Sequence, residues 1–295
     1  MCATCGCQDG GKTTMTNLQT GTVSEIGHDP HGHYGHFHAD GTWHSHAQGE
    51  EPDSHDHDHG HHHGYSHDHS HNGEVLNLET RVLAKNNALA ATNRAWFAGR
   101  EILALNLLSS PGAGKTTLLE RTIADLSGEL SLYVIEGDQA GANDGERIRR
   151  AGAPAVQVNT GTGCHLDADM TARALAELKP AARSVVLIEN VGNLVCPALF
   201  DLGERAKVVI FSATEGEDKP LKYPHIFRAA SLVLLNKCDL LPHLDFFVEQ
   251  AVANLRQVNA DAPLINLSAR TGEGLDDWYR WVRSEAAAAR EFAMA

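Results

Sequence analysis

No run of apolar residues in the 295-residue chain approaches the roughly 18 to 20 needed to cross a bilayer. The N-terminus also lacks the basic patch and apolar stretch of a secretory leader and carries Cys and Gly instead, so the expectation is a cytoplasmic protein with no membrane partner. Positive charge is short: 24 Lys and Arg stand against 38 Asp and Glu, a formal net charge of -14. Nucleic-acid binding draws most of its affinity from basic side chains that neutralise phosphates, so that partner class is excluded, although a small anion can still be held locally. Cysteine is sparse, at six, and a chain long enough to bury its own core has no need of disulfide staples, so the thiols are weighed as metal ligands. Periodic hydrophobics are almost missing from residues 1 to 73, which therefore bury too little apolar surface to offset chain entropy and are expected to be disordered when metal-free.

What fills that stretch is histidine. Of 19 in the chain, 16 fall between His28 and His71, interleaved with Asp, Gly and Ser. With ordinary pKa values near 6.5, these imidazoles are mostly neutral at cytosolic pH, and many weak sites make a metal reservoir. Ahead of them, "MCATCGC" confines Cys2, Cys5 and Cys7 to one short loop, easy for a single soft or borderline metal and awkward for two strain-free disulfides. A redox cysteine pair is the competing reading, but such pairs sit inside a folded unit that is not expected here.

From Glu74 the pattern changes. Val75, Leu76, Leu78, Val82, Leu83 and Leu89 recur at helix-like spacing, and short apolar runs then alternate with amphipathic segments. Strands are predicted at 102–108, 130–136, 185–189, 208–212, 232–236 and 264–267. The expected class is therefore α/β, a mostly parallel sheet flanked by helices over 74–295, preceded by a Cys/His-rich tail over 1–73.

The first of these strands runs into "SSPGAGKTT" and a helix-compatible segment, the context of a phosphate-binding P-loop, where backbone N–H groups and a helix N-terminus converge on phosphates. Ser109 stands where the first Gly of the pattern is usual, while Gly112 and Gly114 keep the loop adaptable around Ala113. Lys115 is expected on the β- and γ-phosphates and Thr116 on Mg²⁺, with Thr117 behind it. Further on, "LNKCD" ends a strand with Asn236, Lys237 and Asp239. A carboxylate at 239 accepts from guanine N1 and N2 but faces an acceptor in adenine, which selects GTP. Ser268, Ala269 and Arg270 follow a later strand, where a loop reaches guanine O6. Asp138 closes "VIEGD" as a candidate Mg²⁺ ligand. "ENVGN" places Glu189 and Gly192 as a switch that senses the γ-phosphate, or, on a blander reading, Glu189 as a buried capping acid.

Cys164 and His165 are adjacent, and Cys196 lies four residues beyond Gly192. Singly, such cysteines are more often small buried hydrophobes. Their pairing with His165 and with the switch favours a Ni²⁺ or Zn²⁺ site able to take a fourth donor from elsewhere. Cys238 reads as a packed strand-end residue. These readings leave two competing functions, nucleotide-driven metal delivery and a metal store in which GTP is incidental.

"CATCGC", "SSPGAGKTTLLE", "VIEGDQ", "TGTGCHLDADM", "ENVGNLVCP", "ATEGEDKPLKYP", "LLNKCDLL" and "LSARTGEGL", in this order, resemble the hydrogenase nickel-incorporation GTPases of the HypB family. That resemblance implies a P-loop GTPase with GTP, Mg²⁺ and Ni²⁺, a tight nickel site at Cys2, Cys5 and Cys7, and a weaker nickel or zinc site at Cys164, His165 and Cys196. It also implies a GTP-dependent homodimer, a HypA-type nickel chaperone and the [NiFe]-hydrogenase large-subunit precursor as partners. Lys219 and Lys222 are candidates for contacts across the dimer.

Overall fold

The structure, a computed structural model, describes residues 13–26, 34–37, 43–46, 71–139 and 143–292. In chain order the strands and helices are β1 (Thr13–Asn17), β2 (Val23–Ile26), β3 (Tyr34–Phe37), β4 (Trp43–His46), α1 (His71–Gly99), β5 (Leu103–Ser109), α2 (Lys115–Leu126), β6 (Leu132–Asp138), α3 (Asn143–Ala151) and β7 (Ala155–Asn159). They continue with α4 (Ala168–Leu178), β8 (Val185–Glu189), α5 (Cys196–Leu199), β9 (Ala206–Ser212), α6 (Lys219–Lys222), α7 (Pro224–Arg228), β10 (Leu232–Asn236), α8 (Val248–Val258), β11 (Leu264–Asn266) and α9 (Leu275–Phe292). A nine-stranded sheet has the order β11-β10-β9-β5-β8-β6-β7-β1-β2. Every pair from β11 to β7 is parallel. β3 and β4 form a separate antiparallel pair.

The central strands are buried along their whole length because helices cover both faces, which is why β5, β8 and β10 read as continuous apolar runs instead of alternating ones. On one face Leu118 and Ile123 of α2 meet Trp278 and Val282 of α9. On the other, Phe97 of α1 and Leu175 of α4 pack over Val156 and Val186. Trp278 reaches this depth because its Nε1 donates to Thr122 Oγ1 at 2.9 Å, so the indole leaves no orphan donor. All six predicted strands are present, each within two residues of its expected limits. No helix among the described residues is long and apolar enough to cross a membrane.

Helix α1 does more than cover the sheet. Asn93 Nδ2 donates to Ala168 O at 2.8 Å and Leu202 O at 3.0 Å, and Asn86 bridges Ala168 N and Asp201 O at 2.9 and 2.8 Å. Two buried amides thus join the start of α4 to the segment after α5.

Residues 13–26 depart from the expectation of no element before α1. They form a hairpin whose β1 pairs antiparallel with β7 and β2. Thr13 and Met15 face inward at alternate positions, and Asn17 Oδ1 accepts from Gln19 N and Thr20 N at 3.0 and 3.1 Å to shape the turn. The hairpin sits in the same sheet as the P-loop, so the fold does not begin at residue 74. Cys2, Cys5, Cys7 and most of the His tract lie outside the described residues.

Candidate nucleotide and metal site

Parallel strands point their C-terminal ends at one edge of the sheet, and the chemistry gathers there. β5 delivers the chain into the P-loop, with Ser109 still in strand geometry and 1% exposed, so the missing first Gly costs the loop nothing. The turn is made by Gly112 and Gly114, with φ of 74° and 94°. At Gly114 a Cβ would collide with the Asn236 amide, which makes glycine obligatory there. A cavity of about 550 Å³ opens over this loop and includes Lys115, Thr116, Asp138, Arg147 and Gly192 among its walls.

Asn236 fastens the cavity floor. Its Nδ2 donates to Ala113 O at 2.8 Å while its Oδ1 accepts from Lys237 N at 2.8 Å and Ala269 N at 3.1 Å, tying the P-loop, the β10 end and the Ser268–Arg270 segment together. Lys237 Nζ donates to Gly112 O at 2.7 Å. Asp239 is partly buried, and its Oδ1 has no hydrogen-bond partner among the described residues. Arg270 is exposed at the rim.

Lys115 Nζ and Thr116 Oγ1 converge on one oxygen of Glu189, at 3.1 and 2.7 Å. The other oxygen of Glu189 is buried without a hydrogen-bond partner among the described residues, as is Oε2 of Glu136, which stands opposite Glu189 across the β6–β8 pairing. Burial, together with the charges of Glu189 and Asp138 and against the pull of Lys115, pushes the Glu136 carboxyl up to about 9. Buried carboxylate oxygens in want of a partner, beside a threonine hydroxyl and Asp138, are the hard donor set that fits Mg²⁺. The capping role weighed for Glu189 has no support in the geometry: its partners are the P-loop lysine and threonine. Gly192 lies against the P-loop, where a Cβ would meet Pro111 at 3.3 Å.

Cys164, His165 and Cys196 place one ligand atom each within 4.8 Å of one another, all three half-buried. Cys164 Sγ is 3.7 Å from His165 Nδ1. The imidazole lies on the Phe200 ring, with centroids 3.8 Å apart, and burial pulls its pKa down to about 4, which keeps it neutral and able to donate a lone pair. Asn193 Nδ2 donates to Cys164 O at 3.4 Å, bridging the Cys164 loop to the segment between Gly192 and Cys196. Two thiols and an imidazole of intermediate exposure suit a borderline cation such as Ni²⁺ or Zn²⁺, with room in a four-coordinate shell for one further donor.

The sequence reading passed over Asn190. Its Oδ1 accepts from Leu166 N and Val191 N, both at 3.0 Å, so one buried amide holds the residue after His165 and the start of the Gly192 segment together. It lies inside the "ENVGN" motif, but nothing in a single sequence separates it from its neighbours. Arg147 was also missed: it bonds Thr117 Oγ1, Glu120 and Asp144 at the cavity wall. Cys238 is buried as expected, and its surroundings push the thiol up to about 11. Lys219 pairs with Glu215 at 2.9 Å and Lys222 with Asp218 at 2.7 Å.

Fold and site define a P-loop nucleotide-binding protein with a thiol–imidazole cluster beside the Glu189–Gly192 segment. Residues 103–266 match the family model "CobW/HypB/UreG, nucleotide-binding domain". Hydrogenase maturation factor HypB of Escherichia coli strain K12 is 57% identical over 211 residues, 72% of this chain and 73% of that one. The crystal structure of hydrogenase maturation factor HypB from Archaeoglobus fulgidus matches with a TM-score of 0.65 at 39% identity, covering 69% of this chain and 99% of that one. HypB from Helicobacter pylori in complex with nickel matches with a TM-score of 0.65 at 35% identity, covering 69% and 96%. The chain belongs to the HypB family of hydrogenase maturation factors.

Proposed function

We propose that the protein is a GTP-hydrolysing nickel metallochaperone of the cytoplasm, passing Ni²⁺ to the [NiFe]-hydrogenase large-subunit precursor, with the His-rich tail as a store. The observation that carries this reading is adjacency: the Cys164, His165 and Cys196 donors lie within 4.8 Å of one another, and Cys196 follows by four residues a glycine packed on the P-loop. The H. pylori relative solved with nickel supports Ni²⁺ as the cargo. Guanine is favoured by the orphan oxygen of Asp239, which needs a donor pair that adenine lacks.

Lys115 and the P-loop amides hold the phosphates. Thr116, Asp138 and Glu189 would hold Mg²⁺, which when bound neutralises phosphate charge. Lys115 and Thr116 then exchange Glu189 for the nucleotide, freeing the Glu189–Gly192 segment to follow the γ-phosphate. Asn190 and Asn193 carry that movement to the Cys164 loop and to Cys196. Hydrolysis relaxes the segment and loosens the nickel. A GTP-dependent homodimer supplies the fourth donor or stabilising charge, with Lys219 and Lys222 at its contact, and a HypA-type chaperone receives or hands on the metal.

The test is hydrogenase maturation in cells at limiting nickel. Delivery predicts that Lys115→Ala abolishes hydrogenase activity and that loss of residues 28–71 only raises the nickel requirement. The reverse pattern would identify a storage protein in which the nucleotide is incidental.

A further inference from the structure

Cys196 lies on a different stretch of chain from Cys164 and His165, so no local covalent link sets the gap between them. A four-coordinate ion needs its donors about 3 to 4 Å apart, given bonds of about 2.3 Å to sulfur and about 2.0 Å to nitrogen. The three ligand atoms lie within 4.8 Å of one another, close to that spacing. What holds the two stretches together is a stripe of residues along α1.

Asn86, Ala90, Asn93 and Arg94 follow the i, i+4, i+7, i+8 spacing of one helix face, and the first three are buried. Asn86 Oδ1 accepts from Ala168 N at 2.9 Å while its Nδ2 donates to Asp201 O at 2.8 Å. Asn93 Nδ2 gives one hydrogen to Ala168 O at 2.8 Å and the other to Leu202 O at 3.0 Å. Each amide thus touches both halves of the cluster: Ala168 comes soon after His165, and Asp201 follows Phe200, whose ring lies against the His165 imidazole. Arg94 adds two bonds of 2.7 Å to the Asp201 carboxylate. At Gly203 the contact with α1 is so close that a Cβ would meet Ala90 O at 2.6 Å. Glu204 ties this anchor to the sheet, accepting from Leu202 N at 2.7 Å and from Asn106 Nδ2 of β5 at 3.1 Å. The stretch before Cys196 is held more lightly, by Asn193 Nδ2 on Cys164 O at 3.4 Å, with Val195 57% exposed.

We propose that α1 is the fixed frame of the Cys164/His165/Cys196 cluster, with Asn86 and Asn93 as positioning residues that set the gap between its two halves. The proposal rests on the metal-delivery reading of that site. A carboxamide suits the task because its two N–H hydrogens and its oxygen lie in one rigid plane, so it bonds two backbone segments at a set separation. Donors held near their bound spacing lose little freedom when the ion arrives, so the frame raises affinity. It also supplies leverage. With the chain after His165 and the chain after Phe200 both fastened to α1, a displacement entering through residues 190–195 changes the distance from Cys196 to Cys164 and does not carry the two along together.

The experiment uses the full chain with Cys2, Cys5, Cys7 and Cys238 changed to Ser, which leaves Cys164 and Cys196 as its thiols. Metal-free protein is treated with dibromobimane, which fluoresces when both arms are joined, and separately with iodoacetamide. Bridging rate divided by single-alkylation rate reports the gap, because mere exposure of the thiols raises both. Asn93→Ala should lower this ratio at least about fivefold and Asn86→Ala about threefold, as the effective concentration of one thiol at the other falls. Asn86→Ala keeps the Asn93 bonds and decides the matter if Asn93→Ala does not fold. Asn254→Ala, which removes a buried amide of α8 bonded to Glu217 O, should leave the ratio unchanged. Nickel affinity, read by thiolate-to-nickel charge-transfer absorption, should fall at least about tenfold in Asn93→Ala while nucleotide affinity stays within about twofold. A ratio unchanged in both α1 variants, an equal fall in Asn254→Ala, or a lowered ratio with nickel affinity intact would overturn the frame. The ratio needs neither metal nor nucleotide, so if the parent protein itself binds no nickel the delivery reading fails and the ratio still decides the frame.

Discussion

The P-loop cavity and the Cys164/His165/Cys196 cluster occupy the same edge of one sheet yet are built on opposite plans. Around the P-loop, Asn236 and Lys237 lock the backbone with hydrogen bonds from the β10 end to the loop carbonyls. At the cluster, two thiols and an imidazole stand half-buried on one loop and the first residue of α5, with side-chain hydrogen bonds of Asn190 and Asn193 linking the Cys164–Leu166 loop to the 190–193 segment. A rigid anion cradle must be right before the ligand arrives, because its affinity comes from preorganised donors. On the proposed delivery role, a site that gives up its metal is better made of donors whose spacing a neighbouring segment can change.

The comparison can be broken from the cradle side first. Lys115→Ala should weaken nucleotide binding by about a hundredfold, the equivalent of a lost charge-assisted contact of about 3 kcal/mol, in a fluorescent-nucleotide titration. Nickel binding at the cluster should survive it. From the other side, Cys196→Ser should lower cluster nickel affinity at least about tenfold, in a protein lacking the N-terminal thiols, with nucleotide affinity unchanged. Asn236→Ala touches both the P-loop and the base-side loop and should cost about 1 to 3 kcal/mol of unfolding free energy by denaturant titration, since it strands buried donors and acceptors. The smallest effect is on reactivity. With its thiol pushed up to about 11, Cys238 carries almost no thiolate at pH 8 and gains it only as pH rises toward that value. Alkylation at pH 8 followed by mass spectrometry should therefore modify Cys164 and Cys196 ahead of Cys238.

The cradle was legible in the sequence because it is local: Ser109 to Thr117 fall between one strand and one helix, and glycines mark the turn. The cluster was half legible, because Cys164 and His165 are neighbours while Cys196 joins them only through the loops after β7 and β8. β7 itself went unread, since Ala155–Asn159 is five residues with a polar Gln157 that is nonetheless buried at 3% exposure. The hairpin went unread for a similar reason. Its strands are largely Thr, Ser, Glu and Asn, and only Met15 and Ile26 supply buried apolar side chains, too few for periodicity to register. Asn86, Asn93 and Asn190 are polar residues whose burial is set by long-range partners, which spacing along the chain does not reveal.

The most direct measurement is the nickel dissociation constant of a Cys2/Cys5/Cys7 triple-Ala protein with GDP and with a non-hydrolysable GTP analogue. If the Gly192 segment transmits the state of the nucleotide to Cys196, the two constants differ by at least about fivefold, a coupling of about 1 kcal/mol. Equal constants would contradict the account, because a nucleotide that binds both metal states alike moves no cargo.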